Sequence, residues 1–414
     1  MNLLKSNLLM KDKNFFLYWV SQLISSLGNS LIPVTITFAV LEVTGSATSL
    51  GIVLGALWIS RVVFVMFGGV WADRLSRKHI IIIADLFQGF NHLIISLAFF
   101  TNLIEIWHLA ISALFYGAIS AFHAPASSGF LPEIIEKHQL QKANSLLSIT
   151  SSIFDIAGPA LAGLLVIFLG FSTIFIIDAI TFFVSFFLVL FVTPKFKSKQ
   201  SQQTPYWQDL KEGVKVAKNH SWIWTTLISF SIFNFAVAAI NVLGPLALSE
   251  SLRGPKEWGL ILTAGSIGGL LGGIISHNLK PKHPLKFSFV LMAIFIILEL
   301  LVLIGPLSTW IIMIVFMLAS ASIILGAVFW DTIVQQHVPE HLISRIGSLD
   351  SFVSFIFMPV GFVIAGPLSA KIGLNSTLIT IATLVLISNV WVIYFGDGRK
   401  IQFNENSKVN ESTS

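Results

Sequence analysis

Apolar residues along the chain fall into a dozen continuous runs, at 15–41, 49–71, 79–100, 105–123, 145–168, 171–192, 222–248, 258–277, 285–305, 309–330, 347–370 and 374–396. A helix rising 1.5 Å per residue needs about twenty apolar residues to cross roughly 30 Å of hydrocarbon, and most of these runs suffice. They are unbroken rather than alternating, which excludes a membrane β-barrel. The first run is too long for a cleaved signal, lacks a small-residue cleavage site and is followed by the other runs. The pattern predicts an all-α membrane protein of twelve transmembrane helices.

Composition supports lipid as the solvent. Of 414 residues, 55% are hydrophobic and 11% charged, and 36 are Phe; a soluble domain carries about 25% charged residues. The 25 Lys and Arg then fix an orientation. With the N-terminus inside, the inner side receives those before residue 14, Arg74, Arg77, Lys78, Lys137, Lys142, the six from Lys195 to Lys218, Lys280, Lys282, Lys286, Arg345 and the three of the tail. Only Arg253, Lys256 and Lys371 fall outside, and Arg61 lies within a run. This bias sets topology and puts both termini in the cytoplasm of a cell, expected to be bacterial. It also accounts for the net charge of +5 without a nucleic-acid partner. The chain has no Cys, so disulfides, thiolate metal sites and thiol chemistry are excluded.

The longest hydrophilic stretch divides the runs into six and six. The expected organisation is an N-terminal six-helix half (1–192), a cytoplasmic linker (193–221) with an amphipathic segment from Trp207 to Lys218, a C-terminal six-helix half (222–396) and a disordered tail (397–414). The halves resemble each other. An offset of 203 residues lays His138, Lys142 and Ser145 over His341, Arg345 and Ser348, Gly158 over Gly361, and Gly163 over Gly366. One more residue lays Gly68 and Gly69 over Gly272 and Gly273. Duplicated six-span halves with a binding site near the midplane are a transporter architecture, since two similar halves can rock about a central site.

The loop after the second run reads GGVWADRLSRK over residues 68–78. It resembles the loop signature of the major facilitator superfamily: Gly69, Asp73, Arg74, Arg77 and Lys78 match, and Ser76 replaces the second Gly. The resemblance implies that Asp73 docks at the start of span eleven and that the motif gates the cytoplasmic side; Asp85 is assigned to the same inner charge cluster. Further segments follow in order: Thr44 to Ala47, Ala84-Asp85, Ala121 to Ala126 ending span four, Leu131 to Glu133, Lys142 to Asn144 and Gly158 to Gly163. Together they look like the twelve-span drug:proton antiporter branch that includes macrolide-efflux and siderophore-exporter proteins. Gly158, Pro159 and Gly163 are similar to that branch's antiporter motif, with Ala162 where a Gly is usual. Pro within a span frees a carbonyl and Gly permits close helix crossing.

Ionisable groups inside spans cost about 2.5–3.5 kcal/mol each on insertion scales, so each is a functional candidate. Asp155 and Arg61 both fall near mid-depth and are candidates to pair or to carry and tune a coupling proton. Glu42 and Asp178 are further proton-coupling candidates, and Glu299 is a buried carboxylate without an evident role. The superfamily resemblance directs the search for a substrate cavity to spans one, four, seven and ten. Gln22 and Asn29 lie on a polar stripe of span one, Tyr116 shares a face with Ser120, and Asn234 shares one with Asn241. For each, an interhelical hydrogen bond is the alternative role.

No Walker loop, HExxH or GxSxG is present, so no enzymatic activity, cofactor or metal is expected. The expectation is a monomeric secondary active transporter in the lipid bilayer, exporting a lipophilic small molecule, macrolide- or drug-like, in exchange for protons. The alternatives are a lipid, lysolipid or siderophore transporter on the same fold, and a non-transporting membrane receptor.

Overall fold

Eleven helices among the described residues are long and apolar enough to cross a bilayer. One of them, Leu140–Leu190, has 51 residues, a length of about 76 Å and more than twice the hydrocarbon thickness. Gly170 breaks it, with φ 73° and ψ 168° inside an otherwise helical run, so it makes two spans and the total is twelve. These features come from a computed structural model that describes residues 7–196, 221–248, 254–305 and 307–395, with 211, 214–215, 217 and 401–402. Side chains are described within these except at 7–8, 66–74, 137, 340–341, 344, 348 and 395. Most of the expected linker and tail therefore lies outside the described residues. The described residues are mostly helical, with no strand among them.

The spans are α1 (Lys13–Thr44), α2 (Ala47–Arg74), α3 (Arg77–Phe100), α4 (Ile106–Ile134), α5 and α6 (140–169 and 171–190), α7 (Ser221–Leu248), α8 (Gly254–Asn278), α9 (Pro284–Leu301), α10 (Thr309–His337), α11 (Glu340–Phe355, continuing as Met358–Ile372) and α12 (Leu374–Phe395). Several extend past their apolar runs, and α1 is capped at both ends. Asp12 caps α1 by accepting from the amides of Asn14 (3.0 Å) and Phe15 (3.4 Å). Gly45, at φ 60°, closes it with an N–H to Leu41 O at 2.7 Å, leaving a two-residue turn into α2.

Span four departs most from expectation. The segment 121–126 does not end it: α4 runs through Pro125 and Pro132 to Ile134. Each proline removes one backbone donor, and a membrane helix tolerates that loss where neighbours cover the freed carbonyl.

The chain divides into two compact units, Met1–Gln203 with Gly244–Thr263, and Thr204–Leu243 with Ala264–Ser414. In the first, Phe15, Tyr18, Ile81, Phe130, Leu131 and Ile134 form a closed core at the end where α1 begins. Phe87, Ile94, Phe168 and Phe187 are exposed, as side chains facing lipid would be.

The repeat is visible inside each unit. A β-carbon on Gly158 of α5 would meet Ser30 of α1, and one on Gly361 of α11 would meet the Phe235 carbonyl and Ala238 of α7. Two glycines at equivalent positions thus admit the backbone of the equivalent neighbour.

Candidate functional site

Three groups of polar side chains in the first unit carry most of the chemistry. The first closes the end of the bundle where α1 begins. Arg77, in the first turn of α3, donates through Nη1 to Gly129 O of α4 (2.7 Å) and pairs with Glu133 Oε1 (3.3 Å). Its guanidinium lies where a side chain on Gly129 would be. Lys78 Nζ donates to Leu190 O (2.8 Å), supplying a cation to the last turn of α6. Beyond α6 the chain returns to α4, where the amides of Lys195 and Phe196 donate to Glu133 O at 2.8 and 3.0 Å. Lys195 also pairs with Asp12, and Thr193 N donates to Asn14 Oδ1 at 2.9 Å. Burial pushes the Asp12 carboxyl up, but the Lys195 contact and the two amide bonds outweigh it and hold the group below its ordinary value of 3.8.

Of the loop motif, Arg77 and Lys78 are thus tied to α4 and α6. The side chains of Gly69, Asp73 and Arg74 lie outside the described residues. Ser76, in place of the motif's second Gly, has φ −61°, so this turn does not call for glycine. Asp85 is fully buried, accepts from Ser185 Oγ of α6 (2.7 Å) and faces His123 Nε2 of α4 at 3.4 Å. The Asp85–His123 approach has ion-pair distance without hydrogen-bond alignment, and Asp85 Oδ1 and His123 Nε2 are both buried without a hydrogen-bond partner.

The second group is a seam between α3 and α6. Asp85, Gln88, His92 and Ser96 lie along one buried face of α3, and Ser185, Thr181, Asp178 and Ser172 run along α6. The cross-links are Asp85–Ser185, His92–Asp178 and Ser96–Ser172, the last through Ser96 Oγ to Ser172 O at 2.8 Å. Intervals of seven residues, from 85 to 92 and from 178 to 185, are two helical turns and keep each pair on a common face. His92 Nδ1 meets Asp178 Oδ2 at side-chain exposures of 2% and 0%. The other face of the ring stacks on Tyr116 of α4 (5.6 Å between centroids, 12° between planes).

The third group joins α1 to α4. Tyr116 Oη donates to Asn29 Oδ1 at 2.8 Å. Tyr18 Oη lies 2.9 Å from Ser127 O and 2.7 Å from Ser127 Oγ, and Ser127 Oγ donates to Gln22 Oε1 at 3.3 Å. Gln22 Nε2 is buried without a partner. The cavity candidates therefore lie in two separate hydrogen-bonded links between α1 and α4, Asn29 with Tyr116 and Gln22 with Ser127. In the second unit, Asn234 Nδ2 donates to Phe230 O and to Ser354 O of α11, both at 3.0 Å, whereas among the described residues Asn241 Nδ2 donates to Val237 O of its own helix. Asp350 of α11 accepts from Trp330 Nε1 of α10 at 3.1 Å.

The remaining candidates scatter. Arg61 sits over its neighbour Trp58 at 5.2 Å. Asp155 is exposed, and no ion pair joins the two among the described residues. Glu42 is exposed near the end of α1. Gly163 and Pro159 of α5 contact the start of α8, where a β-carbon on Gly163 would meet Pro255 O and one on Gly259 would meet Pro159 O; Ala160 N donates to Thr263 Oγ1 at 3.1 Å. Glu299 of α9 is 7% exposed without an ionic partner among the described residues. Sequence reasoning missed His92, His123, Gln88 and Ser185.

Residues 18–362 match the family model described as Major Facilitator Superfamily. The chain belongs to the major facilitator superfamily. Among curated relatives, macrolide efflux protein A of Streptococcus pyogenes is 25% identical over 384 residues, covering 90% of this chain and 93% of that protein. The multidrug efflux pump Tap of Mycolicibacterium fortuitum is 23% identical over 386 residues, covering 89% and 92%. Among solved structures, a bacterial homologue of the iron transporter ferroportin in an inward-facing state superposes with a TM-score of 0.75 at 16% identity, covering 96% of this chain and 100% of that one. A mutant form of the nucleoside transporter NupG superposes with a TM-score of 0.73 at 13% identity, covering 91% and 98%. At such identities the structural likeness shows the fold. These two sequence relatives of the major facilitator protein are themselves named as efflux proteins.

Proposed function

We propose that this membrane transporter exports lipophilic small molecules, macrolide- or drug-like, in exchange for protons by alternating access. The reading is carried by likeness along nine-tenths of the chain to a macrolide efflux protein. Physical features support it. The cavity candidates are neutral amides and a phenol, which suit a large solute of low charge. Buried carboxylates and histidines in the first unit are groups able to hold a proton inside a span. Both termini are cytoplasmic in this reading, and the arginine and lysine of the loop motif brace the cytoplasmic ends of α3, α4 and α6. The transporter works as a monomer in the bacterial cell membrane.

The test uses inverted membrane vesicles energised by respiration, with ethidium and radiolabelled erythromycin as probes. Uptake is expected, and it should collapse when a protonophore dissipates the pH gradient. Uptake that persists undiminished in the protonophore overturns the coupling and favours a lipid-type facilitator.

A further inference from the structure

We infer that the buried His92–Asp178 pair is the site that carries the coupling proton, and that Tyr116 and Asn29 transmit its state to α1. This rests on the transport reading above and assigns a residue pair to its proton step. The pair is enclosed from four helices. His92 comes from α3 and Asp178 from α6; Phe175 and Phe182 set their edges against the imidazole, and Tyr116 of α4 covers its face. On the remaining side stands α1, where Gly28 leaves the room that the Asp178 carboxylate fills: a β-carbon there would collide with Asp178 Oδ1 and Thr181 Oγ1.

One proton between Nδ1 and Oδ2 keeps the pair neutral overall, whether it is written as imidazolium with carboxylate or imidazole with carboxylic acid. Release of that proton to water leaves one uncompensated negative charge, and uptake of a second leaves one positive charge. Both are costly in an enclosure that leaves the pair 2% and 0% exposed, so exchange requires the enclosure to open. Donors to the carboxylate are sparse: His92 serves Oδ2, and Thr181 Oγ1 reaches Oδ1 only at 3.4 Å. The titratable and charged groups facing the pair are few. Tyr116 lies in the field of Asp178 and of Arg61 from α2; Gly28 and Asn29 of α1, neither of which titrates, stand beside the pair; Asp85, with His123, is two turns along α3.

The link to α1 is geometric. Asp178 packs on the backbone at Gly28, and the next residue, Asn29, is held by the phenol that stacks on His92. Four residues on, Pro33 has no N–H to offer the Asn29 carbonyl, so α1 is most easily bent at this level. A change of charge in the pair therefore acts where α1 is weakest and on the polar stripe that carries Asn29. Asp155 is exposed, and Glu299 of α9, 7% exposed, has no polar partner among the described residues.

The experiment compares wild type with Asp178→Asn in liposomes, using ethidium. Two rates are read: accumulation driven by an imposed pH gradient, and exchange of labelled for unlabelled ethidium at equal pH. Asp178→Asn preserves shape and a partner for His92. It is expected to lower driven accumulation by about tenfold or more while exchange stays within about twofold. Driven accumulation at the wild-type level in Asp178→Asn overturns the inference and leaves the transport reading standing. Absence of driven accumulation in the wild type itself overturns both. If the variant loses exchange as well, His92→Gln decides: a displaced pH profile of driven accumulation supports the assignment, and the wild-type profile overturns it.

Discussion

Replacing Gly361 with Ala tests whether the close approach of α11 to α7 sets the packing of the second unit. A β-carbon at this position would stand 2.5 Å from Phe235 O and 2.9 Å from the Ala238 β-carbon, and neither atom can swing away because one is backbone and the other is fixed to it. Ordinary contact begins at 3.4 Å, so α11 must retreat by about 0.9 Å. That retreat strains two hydrogen bonds two turns earlier, from Ser231 Oγ to Val353 O and from Asn234 Nδ2 to Ser354 O. Overpacking of this kind costs about 1–3 kcal/mol, against a gain of about 1 kcal/mol for placing Ala rather than Gly in a helix. The balance is a loss of about 0–2 kcal/mol. Gly273→Ala is the counterpart, because its β-carbon would meet only Ile324 Cγ2 at an ordinary 3.8 Å and the propensity gain stands alone. Thermal unfolding of the detergent-purified variants, followed by tryptophan fluorescence, should place Gly361→Ala below wild type and Gly273→Ala at or above it. Gly158→Ala should fall with Gly361→Ala if the repeat is a packing repeat. The reverse order of Gly361→Ala and Gly273→Ala would refute the reasoning.

Other expectations concern the braced end and the relay. Arg77→Ala removes a charge-assisted bond to Gly129 O and leaves Glu133 half-enclosed, a loss of about 1.5–3 kcal/mol in unfolding assays, and Arg77→Lys should recover only part of it. Because the Asp12 carboxyl sits below its ordinary value, its contribution is present above pH 3.8 and is lost as pH falls through the lowered value. Amide exchange at Asn14 and Phe15 should therefore stay protected at pH 5 relative to Asp12→Asn, and the difference should vanish in stronger acid. Tyr116→Phe deletes the hydroxyl bond to Asn29 while keeping the stack on His92. It should cost about 0.6 kcal/mol of stability, and it should slow transport by more than that loss accounts for.

Much of this protein is legible in its residues. Apolar run length gave the spans, because a bilayer imposes one length on every helix. The offset between Gly158 and Gly361 foretold a shared packing role, because only a residue without a side chain admits a neighbouring backbone. Helix ends were less readable: α4 continues past Pro125, since a proline removes one bond without ending a helix that neighbours support. The seam was missed for a different reason. His92 and Ser185 look unremarkable on their own helices and acquire meaning only when α3 meets α6 across about ninety residues of chain. One signal was available, the seven-residue interval from Asp85 to His92 matched by that from Asp178 to Ser185. Arg61 and Asp155, paired by apparent depth alone, are both exposed, and depth along a helix says nothing about the side it presents.

The central claim is that substrate moves at the expense of a pH gradient, and purified protein in sealed liposomes tests it most directly. Labelled erythromycin and ethidium are supplied outside, with the interior acid or at equal pH. The account predicts accumulation above the outside concentration only with the interior acid, together with a rise in interior pH as substrate enters. Equal fluxes under both conditions, with no movement of protons, would contradict it.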